Sequence, residues 1–204
     1  MYVTLVEPVN SKKERVYIDQ QFAFILYHRE SAAYHIKEGM EISEEQYKKI
    51  LEETVLRRAK LRCLNLLKTM DRTELQLRQK LSQGEYPDEI IDQAISYVKG
   101  YHYVDDERYA KQYVECFCEK KSHHQIEQEL RKRGVSRDNI DKAFEEISPI
   151  DECRQIRKWI EKKKFDVRNA DQKEYQKFYA FLMRRGFAFE SIRKVCQEEI
   201  HQLE

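Results

Sequence analysis

Apolar residues follow two rhythms along this chain. Up to about residue 27 they recur at every second position. From residue 43 onward they recur at intervals of three and four. The first rhythm is that of a strand with one buried face, the second that of an amphipathic helix. Tyr2 to Glu7 is rich in β-formers, and Asn10-Ser11-Lys12-Lys13 is a polar turn. Val16 and Ile18 then share a face, and Phe22, Phe24 and Leu26 repeat at period two after Asp19-Gln20. An antiparallel meander of two or three strands is predicted. A sheet this small needs something to rest on. A short helix is expected from about Arg29 to Lys37, stopped by Gly39. Ser43-x-x-Gln46 reads as a capping box that opens a longer helix. Tyr47, Ile50, Leu51, Val55 and Ala59 carry it, with a break near residue 53, through about Lys68.

Beyond this point the pattern repeats. Thr73-x-x-Gln76-Leu77 is followed by Leu81, Tyr86, Ile91, Ala94 and Val98. Ser122-x-x-Gln125-Ile126 is followed by Leu130, Val135, Ile140, Ala143 and Ile147 at identical intervals. Phe178, Leu182, Phe187, Ile192 and Val195 repeat them again, with offsets of 49 and 52 residues. The third copy lacks the capping box, having Glu174 where the others have Thr or Ser. Such self-similarity predicts a three-helix unit repeated three times. The first helices fall at about 53–69, 105–119 and 150–163. Pro87 suits the first helical position in copy one, and Ser136 caps the equivalent helix in copy two. Tyr109, Tyr113 and Phe117 stack at i, i+4, i+8. Ile156, Trp159 and Ile160 form the inner stripe of the third first helix. The predicted organisation is 1–52 for the β-meander with short helices, then repeats at 53–100, 101–149 and 150–204.

Composition supports a mainly α fold. Glycine and proline number 5 and 3 in 204 residues, against roughly 24 together in an average chain of this length. That shortage argues against an all-β fold and excludes collagenous or linker-like chains. A 41% apolar and 11% aromatic content suffices for a core, and a mean hydropathy of −0.85 fits helices with one wet face. No apolar run approaches a membrane span, and the N-terminus has no signal-peptide pattern. The five cysteines, Cys63, Cys116, Cys118, Cys153 and Cys196, are odd in number and scattered, as expected of reduced thiols in cytoplasm, most of them at core or boundary positions of helices.

Little in the sequence suggests catalysis. Asp105-Asp106-Glu107 is explained by complementarity to a helix dipole rather than by metal ligation. Cys116, Cys118, His123 and His124 are ligand types for zinc, but C-x-C-x4-HH is not a common zinc spacing and Ser122 is engaged as a cap. Walker, G-x-G-x-x-G, nucleophile-elbow and H-E-x-x-H motifs are absent. No catalytic, cofactor-binding or metal-binding residue is assigned.

Charge is more informative. The net charge is +1, although 37% of residues are charged. Taken alone, that sum excludes a strongly basic nucleic-acid binder, but the charges are ordered in blocks. Residues 57–82 hold eight Lys/Arg against two acids, and 85–107 seven acids against one lysine. Residues 120–137 hold six basic residues against two acids, 138–152 six acids against one lysine, and 154–173 eight basic residues against three acids. Solvated faces with local salt bridges account for many single residues but less well for the alternation. Stacked repeats would align the basic blocks into a stripe suited to phosphates or an acidic protein groove.

Several elements also resemble those of one family. Tyr103-Val104-Asp105-Asp106-Glu107-Arg108-Tyr109-Ala110 resembles the LDDERFA-type element of the RecX family of recombination regulators. Thr73 to Leu81 resembles that family's first-repeat ELRxKL element, Gln128 to Val135 its second-repeat QELxxKGI element, and Phe181 to Ile192 its third-repeat FLxRRGF element. Arg15 to Asp19 resembles its β-hairpin extension. The match covers nearly the whole chain. It implies three tandem three-helix, helix-turn-helix-like repeats in a curved array behind the small β-meander. It further implies a cytoplasmic, non-enzymatic protein that binds the RecA recombinase and RecA–single-stranded-DNA filaments. Such a protein would inhibit ATP hydrolysis, strand exchange and coprotease activity, and so modulate recombinational repair and the SOS response. Weaker binding to single- and double-stranded DNA, no membrane contact and a monomeric state are expected. The contact candidates come from charge: Arg57, Arg58, Arg62, Arg78, Arg131, Lys132, Arg133, Lys162, Lys163, Arg184 and Arg185. Copy one has Ser82-Gln83-Gly84-Glu85 where the others have Arg131-Lys132-Arg133-Gly134 and Met183-Arg184-Arg185-Gly186. Its basic share is therefore assigned to Arg57–Arg62 and Arg78. The alternatives are a helical-repeat DNA-binding protein without a RecA role and a scaffold for another partner.

Overall fold

A computed structural model describes residues 1–147 and 151–201. The chain divides into two compact units, Met1–Asp105 and Asp106–Glu204.

The first unit opens with three antiparallel strands in the order β1 (Val3–Asn10), β2 (Lys13–Ile18), β3 (Gln21–Tyr27). The tight turn between β2 and β3 places Asp19 and Gln20 at φ 48° and 68°, the left-handed pair that matches strand twist. Val16, Ile18, Phe24 and Leu26 face the core as their spacing predicts. Phe22 does not. A register shift between Val16 and Tyr17 pairs Phe24 with Val16 but Phe22 with Tyr17. The bulge leaves Phe22 40% exposed, edge-on to the Tyr17 ring.

Helix α1 (His28–Ala33) is shorter than expected, because the chain turns through His35 at φ 55° before reaching Gly39 at φ 82°. Helix α2 (Glu44–Lys49) follows, then a π-helical segment (Ile50–Leu56), then α3 (Arg57–Thr69), without interruption. The break expected near residue 53 is this π segment, which shifts the helical phase without ending the helix. Ser43 Oγ accepts from the Gln46 N–H at 3.1 Å, while the Gln46 amide donates instead to the Tyr34 carbonyl. Helices α4 (Glu74–Ser82) and α5 (Asp88–Gly100) complete the repeat. Thr73 and Gln76 form the full capping box. Pro87, at φ −57°, occupies the N-cap and not the first helical position. Val3, Val16, Phe24 and Leu26 share one core with Ile50, Ala59, Cys63, Leu77, Leu81 and Ile91. The small sheet thus rests on the first repeat.

The second unit holds α6 (Asp106–Phe117), α7 (His123–Lys132), α8 (Arg137–Glu146), α9 (Glu152–Lys163), α10 (Gln172–Met183) and α11 (Phe189–His201). Its two cores centre on Val114, Ile126, Leu130 and Ile140, and on Ile156, Phe178, Leu182 and Ile192. The expected start of the third repeat at residue 150, and its last residues 202–204, lie outside the described residues. From Glu152 onward the helix is present, capped by Asp151 Oδ1 on the Arg154 N–H. The third repeat does have a capping box, contrary to the sequence-based expectation. Asp171 accepts from the Glu174 N–H, and Glu174 accepts from the Asp171 N–H. Helix α10 therefore begins almost a turn earlier than strict repetition requires, and Glu174 is its third residue. Tyr109, Tyr113 and Phe117 stack along α6 as predicted. Trp159 packs against the core that Ile156 and Ile160 form but is only partly buried, and it stands edge-on to Phe181.

Candidate partner-binding surface

The interior positions of α6 and α9 fix which residues of the two repeats correspond. Ala110 and Val114 are buried in one, Ile156 and Ile160 in the other. Tyr113 and Trp159 therefore occupy the same place; Tyr113 is itself buried, and Trp159 is partly buried against the third-repeat core. In both repeats an arginine from the α7–α8 or α10–α11 turn covers this ring. The Arg133 guanidinium lies 4.5 Å from the Tyr113 ring centre. That of Arg185 lies 4.7 Å from Trp159 and 3.8 Å from Phe181. Each arginine precedes a glycine in the left-handed region, Gly134 at φ 85° and Gly186 at φ 81°. Cation–π attraction holds each charge against its ring, and Arg133 is also tied to Glu129, whose carbonyl accepts from it at 3.1 Å and whose carboxylate lies 3.7 Å away.

Lysines extend both clusters. In repeat two, Lys121 Nζ lies 4.0 Å over Phe117 and 2.6 Å from Glu129. The Tyr113 hydroxyl also donates to Glu129. Burial works to raise the Glu129 pKa, but the bonds from Lys121 and Tyr113 outweigh it and hold the carboxyl below its usual range. In repeat three, Lys162 lies 4.9 Å over Trp159 and Lys163 4.8 Å over Phe181. Among the described residues, none of Lys162, Lys163, Arg184 and Arg185 has a carboxylate partner. Arg184 stands at the C-terminal cap of α10, and exposed Lys132 also has no carboxylate partner among the described residues. Arg131 pairs along its helix with Glu127 at 2.5 Å.

Repeat one is built differently. Arg62 stands in α3 where the others carry Tyr113 and Trp159, and Gly84 stands where they carry Arg133 and Arg185. The left-handed position is held by Glu85, at φ 55°, whose carboxylate clamps Arg15 of β2 at 2.6 and 2.8 Å. Arg58 is a tie between elements: it bonds Glu30 at 2.6 Å and the Ile25 carbonyl at 2.5 Å, and lies over Tyr27 and Tyr86. Arg78 pairs with Asp92 and Glu74, and Glu74 also meets Lys99. Arg58 and Arg78 are thus neutralised within the fold, whereas Arg57 and Arg62 are exposed and unpaired among the described residues.

Of the candidates, then, Lys162, Lys163 and Arg185 converge on one aromatic ledge, and Arg133 lies on the equivalent ring of repeat two. Trp159, Phe181, Tyr113 and Lys121 were missed as members of these clusters. The available signal was an aromatic residue on the first helix recurring in step with an arginine before the turn glycine. The histidines beside Cys116 and Cys118 face helix neighbours: His123 stacks on Phe144 at 3.8 Å, and His124 pairs with Gln128. Among the described residues, no group of three or more His, Cys, Asp and Glu is placed to hold a metal, and no helix is long and apolar enough to cross a membrane.

These features define a helical-repeat protein whose distinctive chemistry lies on helix flanks and turns. Models of the first, second and third three-helix domains of RecX match residues 59–97, 105–143 and 150–196. The chain is 37% identical to the regulatory protein RecX of Caldanaerobacter subterraneus subsp. tengcongensis, over 93% of this chain and 95% of that one. It is 30% identical to the regulatory protein RecX of Clostridioides difficile, over 93% and 90%. The chain belongs to the RecX family of regulatory proteins. Two crystal structures share the fold. One is of a regulatory protein RecX, with a TM-score of 0.64 and 23% identity over 95% of this chain and 98% of that one. The other is of RecX from Lactobacillus salivarius, with a TM-score of 0.59 and 19% identity over 71% and 96%.

Proposed function

We propose that this chain is a non-enzymatic, cytoplasmic regulator of RecA that binds RecA–single-stranded-DNA filaments and lowers their ATPase, strand-exchange and coprotease activities. The observation that carries this reading is the recurrence of one receptor in two repeats, Arg133 on Tyr113 and Arg185 on Trp159, in a chain of the RecX family. A guanidinium fixed on an aromatic ring is already ordered and loses little side-chain freedom on binding, and that of Arg185, over Trp159 and Phe181, meets no carboxylate among the described residues. In this reading these turns meet acidic surface on RecA protomers, and the unpaired Arg57, Lys132 and Arg184 steer the encounter.

The test is a titration of the RecA ATPase on single-stranded DNA with the folded chain, from substoichiometric to equimolar. Inhibition is expected. Its absence at every ratio would overturn the reading. The second reading, DNA binding without a RecA role, is favoured by the exposure of Arg57, Lys132 and Arg184. It predicts steep loss of DNA affinity with salt and tighter binding to naked than to RecA-coated DNA.

A further inference from the structure

The space between first helix and turn is used differently in repeat one. In repeats two and three it is filled from within by an arginine on an aromatic ring. In repeat one, Gly84 sends no side chain back, and Arg62 replaces the ring. A Cβ on Gly84 would stand 3.0 Å from the Tyr86 ring, so the absence of a side chain also lets that ring fold close to the turn. What remains is a cleft of about 470 Å³ closed on its far side by the β-meander. Its walls carry Lys13, Arg58, Arg62 and Lys80 with Tyr27 and Tyr86, and no carboxylate is among its lining residues.

The local charges do not cancel. Glu30 is taken by Arg58 and by the Tyr27 N–H at 2.8 Å. Glu85, on which the Lys13 charge also acts, is held by both arms of the Arg15 guanidinium. Lys80 bonds only the neutral Gln83 side chain at 3.1 Å, and Lys13 lies 5.1 Å over Tyr27. Lys13, Arg62 and Lys80 thus line the cleft with no carboxylate among the described residues bonded to any of them. The Tyr86 hydroxyl lies beside Arg58 and Arg62; like any phenol it is a donor at neutral pH, and burial pushes its titration further up.

We propose that this cleft binds a small polyphosphorylated anion of the nucleoside di- or triphosphate class. Three unmatched cations fit a diphosphate or triphosphate, which carries three or four negative charges. A single phosphodiester brings one and leaves two cations facing each other. Arginine and lysine together suit such a group, the arginine as a planar fork and the lysines as movable point charges. The cleft volume lies in the range of small-ligand sites, and the two phenol rings offer a base or ribose an apolar face. The proposal concerns the isolated chain and does not depend on RecA.

The experiment is isothermal titration of the full chain, near physiological salt, with ADP, ATP, pyrophosphate, inorganic phosphate and a short oligothymidylate. ADP and pyrophosphate should bind saturably at one site, with inorganic phosphate roughly tenfold weaker or more. Arg62→Gln and Lys80→Met should each weaken ADP binding by about threefold or more, and together by about tenfold or more. Lys177→Met, in the third repeat, should leave it unchanged. Unaltered circular dichroism and melting would establish that the variants fold, and the two single variants preserve the test should the double one fail. The proposal is overturned if ADP, ATP and pyrophosphate show no saturable binding at millimolar concentration, or if their binding ignores both substitutions. It is likewise overturned if the oligonucleotide binds through Arg62 and Lys80 more tightly than ADP, which would make the cleft a reader of strand phosphates.

Discussion

The hydroxyl of Ser122 donates a hydrogen bond to the carbonyl oxygen of Arg185 at 2.7 Å, joining the helix start of one repeat to the turn of the next. The contact needs Gly186 for two reasons. Its φ is 81°, and a Cβ there would stand 2.7 Å from Ser122 Oγ. Gly186→Ala should therefore destabilise the second unit by about 2 kcal/mol or more, combining left-handed strain with overpacking. Part of that cost belongs to the Ser122 hydroxyl. In a Ser122→Ala background the same substitution should cost roughly 1 kcal/mol less. Urea unfolding followed by Trp159 emission reads both values. Equal costs in the two backgrounds would mean that the steric contact is not what makes glycine necessary.

Ser122 and Ser136 both cap helices, but in different settings. Ser136 is exposed and accepts only from the Asn139 N–H at 3.3 Å. Ser122 is buried, accepts from the Gln125 N–H, and also satisfies the Arg185 carbonyl. Ser136→Ala should cost about 1 kcal/mol. Ser122→Ala should cost about 2 kcal/mol, because a part-buried carbonyl loses its partner along with the cap. The same urea experiment ranks them.

The thiols should separate by reactivity and by pH. Cys63 and Cys196 are buried, and Cys116 is exposed. Burial pushes the Cys63 thiol up to about 11. Folding thus favours its protonated form, so this contribution is complete below the unfolded thiol value near 8.5 and is lost as pH rises toward 11. The slope is at most about 1.4 kcal/mol per pH unit. Cys63→Ala should flatten the alkaline fall in stability of the first unit between pH 9 and 11, whatever it does to stability at pH 7. Alkylation at pH 8 with mass-spectrometric readout should label Cys116 first, and Cys63 only on unfolding.

Much of the fold was legible because the repeat makes each part of the chain predict another. Leu81, Leu130 and Leu182 end helices and plug cores at matching positions, and periodicity alone located them. What it missed are local departures from periodicity. Phe22 is turned outward by a bulge, which no alternation of side chains encodes. Asp171 caps α10 because that helix is longer, so a strict offset looked for the cap three residues too late. Charge placed the candidate residues in roughly the right blocks but could not separate the paired from the unpaired. Glu30 finds Arg58 across 28 positions of sequence, and Asp92 finds Arg78 across 14. Trp159 does pack against the core with Ile156 and Ile160, but only in part. The periodicity could not show that Arg185 and Lys162 lie over its ring.

That placement makes Trp159 a probe of the proposed partner surface. Arg185 and Lys162 lie within 5 Å of its ring centre, so an acidic partner that draws these cations away should change the emission of the chain's single tryptophan. Addition of RecA–single-stranded-DNA filaments, RecA itself being accounted for by a blank, should shift or quench that emission saturably. Arg133→Ala with Arg185→Ala should weaken binding by about tenfold or more, since each removes a preorganised charge. Stability should fall as well, by about 0.5–1 kcal/mol for each cation–π contact and by more at Arg133, which also bonds Glu129. Lys132→Glu with Arg133→Glu should weaken it further by adding repulsion toward an acidic surface. A scaffold for some other partner would show none of these losses. A DNA binder without a RecA role would lose affinity for naked DNA instead, with a shallower salt dependence.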